Sequence, residues 1–180
     1  MRALDGMFFI PGFLISIATF PGIMVHELAH LVCCHLTGTK VHEVCYFQVD
    51  NPAGYVIHER PTNVWKHILI GVGPFLFNTL VGLICGVIAW RMHLDPDHVG
   101  VMGGIFLWLA ISIAMHAFPS TGDARSIWQA IWGEGAPLAA RLFGTPLVAI
   151  IFLGAIGSFF WLDLVYGLGV VLALPKMILG

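Results

Sequence analysis

The residues best placed to do chemistry are His26, Glu27 and His30, the fixed members of a His-Glu-Leu-Ala-His run. On a helix, positions 26 and 30 lie one turn apart on the same face. Two imidazoles can then point at one metal ion while Glu27 stands beside them as a base. Zinc suits this donor set, and a catalytic zinc commonly takes three protein ligands and keeps a further position for water. A third ligand must therefore come from elsewhere in the chain. The run Met115-His116-Ala117-Phe118-Pro119-Ser120-Thr121-Gly122-Asp123 offers two candidates. Pro119 and Gly122 are expected to end or unwind the preceding helix and free Asp123 to turn back toward the metal, and carboxylate is an established partner of two such histidines. His116 is the competitor, with an equally good imidazole. Of the other histidines, His35 lies five positions past His30 and off the shared face. His42, His58, His67, His93 and His98 fall in or next to connections and read as ordinary polar residues.

The segment carrying the motif, residues 7–36, is otherwise almost uncharged and strongly apolar. A charged side chain at the centre of a bilayer costs roughly 2.5–3.5 kcal/mol on insertion scales, so ionisable groups there usually mark a site, and a bound cation is a fitting partner. The whole chain supports a membrane setting: 58% of its 180 residues are hydrophobic and 10% are charged, far from the balance of a soluble domain. With net charge −2 and no run of Lys or Arg, it has neither the basic patch of a nucleic-acid binder nor a polybasic membrane anchor. Cys33, Cys34, Cys45 and Cys85 show no Cys-x-x-Cys spacing and read as buried small hydrophobes rather than a disulfide framework or thiolate site.

Four hydrophobic blocks are long enough, at about 20 residues per crossing, to be membrane elements: residues 7–36, 65–90, 99–118 and 146–174. The first contains Pro11 and a Phe20-Pro21-Gly22 break, and reads as one kinked helix or a re-entrant piece followed by the motif helix; it is no cleavable signal peptide, since it runs straight into the histidines. The last, with Asp163 near its middle, is one tilted helix or a tight pair. Between the first two blocks, apolar and β-branched residues flank Asp50-Asn51-Pro52-Ala53-Gly54 and predict a β-hairpin over 44–57. Residues 122–141 form a second polar connection with a short amphipathic helix around 126–132, whose Trp128 and Trp132 suit a membrane interface. The expected fold is an all-α integral membrane protein of about four to five transmembrane or re-entrant helices with a small β-hairpin, in one domain spanning 1–180. If the first block crosses once, the connections from Lys40 to Lys66 and from Arg125 to Arg141 share a side. They hold Lys40, Arg60, Lys66, Arg125 and Arg141, against Arg2, Arg91 and Lys176 opposite, which points to a cytoplasmic location for both.

Taken together, these motifs resemble those of the site-2 protease family of intramembrane zinc metalloproteases. There, a HExxH helix near the N-terminus is followed by a later transmembrane segment ending in an Asn-x-x-Pro-x-x-x-Leu-Asp-Gly type motif, whose aspartate is the third zinc ligand. His26, Glu27 and His30 match the first motif; Pro119 and Asp123 resemble the second, with one residue fewer between them, Gly122 and Ala124 in place of the leucine and glycine, and His116 near the expected asparagine. A Gly-Pro followed by Asn is a further family feature, and Gly73-Pro74-Phe75-Leu76-Phe77-Asn78 resembles it with one extra residue. The resemblance implies a substrate-binding role for Gly73, Pro74 and Asn78; the residues alone read equally well as a helix kink and an interhelical hydrogen bond. It also implies hydrolysis of peptide bonds in membrane-spanning or membrane-associated polypeptides, with one catalytic Zn2+ and Glu27 as the proton carrier. The hairpin falls where such proteases carry membrane-associated strands, and could pair with an unwound substrate segment. A non-catalytic membrane metal-binding or transport protein would use the same histidines but has no need of Glu27.

Overall fold

The computed structural model describes residues 12–94 and 100–179. Residues 7–11 of the first block, including Pro11, lie outside the described residues, as do Arg2, His98 and the side chain of His93. The first block is a bent pair, α1 (Gly12–Ala18) and α2 (Phe20–Thr37), meeting at 82°. Thr19 makes the corner: its hydroxyl donates to the Ile15 carbonyl at 2.6 Å, and Pro21 follows in the first turn of α2, where a missing N–H costs no helical bond. Gly38 ends α2 in the left-handed conformation at φ 65°, its N–H turned back onto the last helical carbonyls, a backbone state glycine reaches without steric cost.

A two-stranded antiparallel hairpin follows, β1 (Val41–Cys45) and β2 (Tyr55–His58), paired from Val41 opposite His58 to Cys45 opposite Tyr55. The strands are shorter than the apolar pattern predicts. Tyr46, Phe47 and Val49 belong to the connecting loop, which is held instead by Gln48, whose N–H donates to the Ala53 carbonyl and whose side-chain amide donates to that of Pro52. Then come α3 (Val64–Leu94), α4 (Val101–Met115), α5 (Thr121–Ile131), α6 (Leu138–Ser158) and α7 (Leu162–Leu168), the last running through a π-helical turn (Gly169–Ala173) into α8 (Leu174–Leu179).

Three stretches are long and apolar enough to cross a membrane, Val64–Met92, Leu138–Ser158 and Leu162–Leu179, and the bent α1–α2 pair would make a fourth. The last hydrophobic block is thus a pair rather than one tilted helix. Its first member starts at Leu138 with Pro146 inside it, and the chain turns at Phe159–Trp161, where Trp161 takes φ 62°. Asp163 consequently sits in the first turn of α7, a favourable place for a carboxylate, and accepts the Leu164 N–H.

The centre of the bundle is α3, which packs against α2, α4, α5 and the π turn. Small residues set these distances, as in membrane bundles generally. A Cβ on Gly22 would fall 1.9 Å from the Ser112 carbonyl oxygen of α4, and one on Gly73 2.3 Å from the Cys33 sulfur of α2. Ser112 also accepts the Gly22 N–H and donates to the Thr19 carbonyl, so the corner of the bent pair is fastened to α4. On the far side, Ala124, Ile127 and Ile131 of α5 pack with Ala140, Val148 and Ile151 of α6, against Val64, Ile68 and Val72 of α3. Replacing Gly22 by Ala should therefore force α2 and α4 apart and cost about 1–3 kcal/mol, seen as a lowered melting temperature in detergent. Gly104→Ala, where the added methyl meets open space, should leave it unchanged or raise it.

Candidate metal centre

His26 and His30 leave the buried face of α2 with ring centroids 4.9 Å apart. Each ring is held from behind by a backbone carbonyl: His26 Nδ1 lies 2.8 Å from the His116 oxygen and His30 Nδ1 2.9 Å from that of Ile70. A carbonyl can only accept, so both Nδ1 atoms carry the proton and donate. Both Nε2 atoms then keep a free lone pair, the arrangement that fixes metal-ligating histidines.

The two acceptors are free for stated reasons. Ile70 lies four residues before Pro74, which is inside α3 and has no N–H to donate to it. His116 caps the C-terminus of α4, and the N–H four residues on, that of Ser120, donates to Asp123 Oδ2 instead. The His116 carbonyl also receives the side-chain amide of Asn78, which is fully buried and donates to the Gly22 and Ile113 carbonyls as well. Asn78 and Pro74 are thus placed against the backbone that supports the histidines, and neither lines the cleft described below.

Asp123 completes the group. Its Oδ1 lies 3.5 Å from His30 Nε2, and one ligand atom each from His26, His30 and Asp123 falls within 4.8 Å of the others. Its other oxygen is occupied by the Ser120 N–H and hydroxyl, while Ser120 Oγ accepts the Asp123 N–H: a capping box at the start of α5. Asp123 is therefore reached through the first turn of a helix and not through an unwound segment, and α5 begins five residues before the predicted amphipathic stretch. The sequence signal for this was Ser120-x-x-Asp123 before an apolar run. The His116 ring is held at Nδ1, which donates to the Ser112 carbonyl at 3.0 Å; it lies outside the His26–His30–Asp123 group and lines the cleft beside it. Two imidazoles presenting Nε2 and one carboxylate oxygen fit a zinc ion.

Glu27 borders a cleft of about 280 Å3 together with His26 and the Pro52–Gly54 part of the hairpin loop. Among the described residues no protein hydrogen bond holds its carboxylate. Gly54 lies so close that a Cβ there would come within 2.8 Å of Glu27 Cγ. The cleft is also lined by Met115, His116, Phe118, Ser120, Ser158 and, from the C-terminal helix, Asp163. The hairpin's own carboxylates are engaged elsewhere. Glu43 accepts the Tyr55 hydroxyl at 2.6 Å, a bond that pushes the tyrosine pKa up, and Glu59 faces Lys40 and His42.

Zinc content of purified variants checks this arrangement. Asp123→Ala should lose the metal, whereas His116→Ala, which keeps its carbonyl, should retain it. Pro74→Ala restores a competing donor for the Ile70 carbonyl, and Asn78→Ala removes one from His116; each should weaken zinc binding by about tenfold or more.

Compared with known families, residues 19–134, more than half of the chain, match the family described as "Putative zincin peptidase". Neither the curated proteins nor the solved structures yielded a match. The matched span runs from the corner before α2 through the hairpin, α3 and α4 to the end of α5, and so contains His26, Glu27, His30 and Asp123. The chain belongs to this zincin family of zinc metallopeptidases.

Proposed function

We propose that the chain is an intramembrane zinc metalloprotease of the site-2 protease type, cleaving peptide bonds of membrane-spanning or membrane-associated polypeptides. The observation that carries this is the position of Glu27, whose carboxylate has no hydrogen-bond partner among the described residues and lines the cleft beside a His26–His30–Asp123 group on a helix of the membrane block. Zinc, when held by these three residues, supplies a Lewis acid that acidifies water and polarises the scissile carbonyl.

The chain's own residues do the rest. The Glu27 carboxylate accepts a proton from water in the cleft and returns it to the departing amine, general acid–base work within hydrogen-bond reach of the reacting atoms. No serine or cysteine nucleophile is required. The carbonyls of His116 and Ile70 hold the imidazoles in one tautomer and one orientation while charge changes nearby. Substrate must arrive with its backbone unwound, because a helix keeps its carbonyls bonded internally. The hairpin supports this requirement: in a two-stranded sheet each strand has an outer edge to which an extended segment can add, and its loop already lines the cleft. On this reading the bent α1–α2 pair is the fourth membrane element, and the hairpin and α5 lie toward the cytoplasm, where Lys40, Arg60, Lys66 and Arg125 are concentrated.

Glu27→Gln should lower cleavage of a membrane-segment substrate by about 10²–10⁴-fold while metal analysis still finds zinc. Full activity in that variant, or loss of its zinc, would remove Glu27 from the proposed role and favour a metal-binding or transport protein.

A further inference from the structure

Asp163 lies outside the span that matches the zincin family, yet it lines the same cleft as Glu27 and His26. Among the described residues no Lys or Arg pairs with it: its Oδ1 accepts the Leu164 N–H, and the His116 imidazole of the same cleft acts on it electrostatically. Charge balance makes it the odd member. A dication held by His26, His30 and Asp123 would be matched by the carboxylates of Asp123 and Glu27, which leaves Asp163 facing, on the cleft wall, the His116 imidazole but no Lys or Arg among the described residues. The same cleft is lined by the apolar Ile23, Met115 and Phe118 as well as by Ser120 and Ser158. Apolar surface bordered by a carboxylate suits a side chain that has a long aliphatic stem and a cationic head, since Lys and Arg lay the stem on apolar surface and carry the charge to its end. A carboxylate within a membrane segment is costly without a cationic partner, and such a partner would relieve that cost.

We infer that Asp163 is a specificity-determining residue that selects substrates bearing a Lys or Arg side chain close to the scissile bond. This rests on the protease reading above and names a substrate class for it: membrane segments cut near a basic flank. It also gives the C-terminal helix a place in the site, because only the turn at Phe159–Trp161 brings the start of α7 to that wall.

The test uses the full-length, zinc-loaded protein in detergent and a set of labelled membrane-segment peptides. A single Lys, Gln or Glu is placed in turn at each position across the cleaved stretch. At one or two positions Lys should raise kcat/KM over Gln by at least about tenfold, the worth of one hydrogen bond to a charged group, and Glu should lower it. In Asp163→Asn the Lys-to-Gln ratio should fall to near one, with zinc content confirming an intact centre. Equal cleavage of Lys and Gln peptides by the parent protein, or a Lys preference that survives Asp163→Asn, overturns the inference and leaves the protease reading standing. If no peptide is cleaved, the protease reading fails; fluorescence anisotropy of the same intact peptides then decides whether Asp163 binds the basic side chain, by the same ratio in the parent and in Asp163→Asn.

Discussion

Two hydrogen bonds from imidazole to backbone carbonyl hold the centre of this protein, and both acceptors are oxygens that a helix would ordinarily keep for itself. Pro74 removes the amide that would have bonded the Ile70 carbonyl, and the end of α4 frees that of His116. In a membrane an orphaned carbonyl is costly, and so is a polar histidine ring without a partner. Pairing them satisfies both groups and fixes each ring's tautomer with Nε2 free. The pairing also sets a geometric condition, since α3 and α4 must press closely on α2. Gly22 and Gly73 allow that approach, and Ser112 and Asn78 fasten it.

The third side of the site is delivered differently. The α5 helix is amphipathic, with Ala124, Ile127 and Ile131 buried against α3 and α6, and this docking presents its N-terminus to α2. The capping box then orients Asp123, taking one carboxylate oxygen for Ser120 and leaving the other beside His30. A helix start is a stiffer support than a loop, because the cap bonds the side chain at both ends of the first turn. Beside this support, the hairpin loop and the start of α7 line the cleft that Glu27 borders. The candidate centre is thus held by hydrogen-bonded helix where the three ligand atoms converge and bounded by connecting segments on the side of Glu27.

Much of this is legible in the linear sequence where the signal is local. Spacing of four residues places His26 and His30 on one helical face whatever surrounds them, and Asp123 stands out because carboxylates are scarce in the later apolar blocks. The hairpin follows from its turn residues, though its strands stop at Cys45 and start at Tyr55 because Gln48 bonds the loop to itself. The last block was harder to read: hydrophobicity continues through Phe159, Phe160 and Trp161 without a Gly or Pro to mark the turn between α6 and α7. The start of α5 was obscured because Pro119 and Gly122, read as breakers, border a helix that Ser120 and Asp123 initiate.

By itself the sequence pointed to a membrane setting, to the histidine pair with its neighbouring carboxylate, and to Asp123 or His116 as the third candidate ligand, since these depend on composition and on spacing within single helices. Only the tertiary structure brought Asp123 rather than the His116 ring into one group with the histidines, the His116 Nδ1 being held by Ser112 while its carbonyl accepts from His26. It alone placed Asn78 and Pro74 behind the histidines and brought Asp163 to the cleft. The reason is physical: where a buried polar group points is set by which partners the packed helices leave unsatisfied, and those partners lie 35 to 90 residues away along the chain.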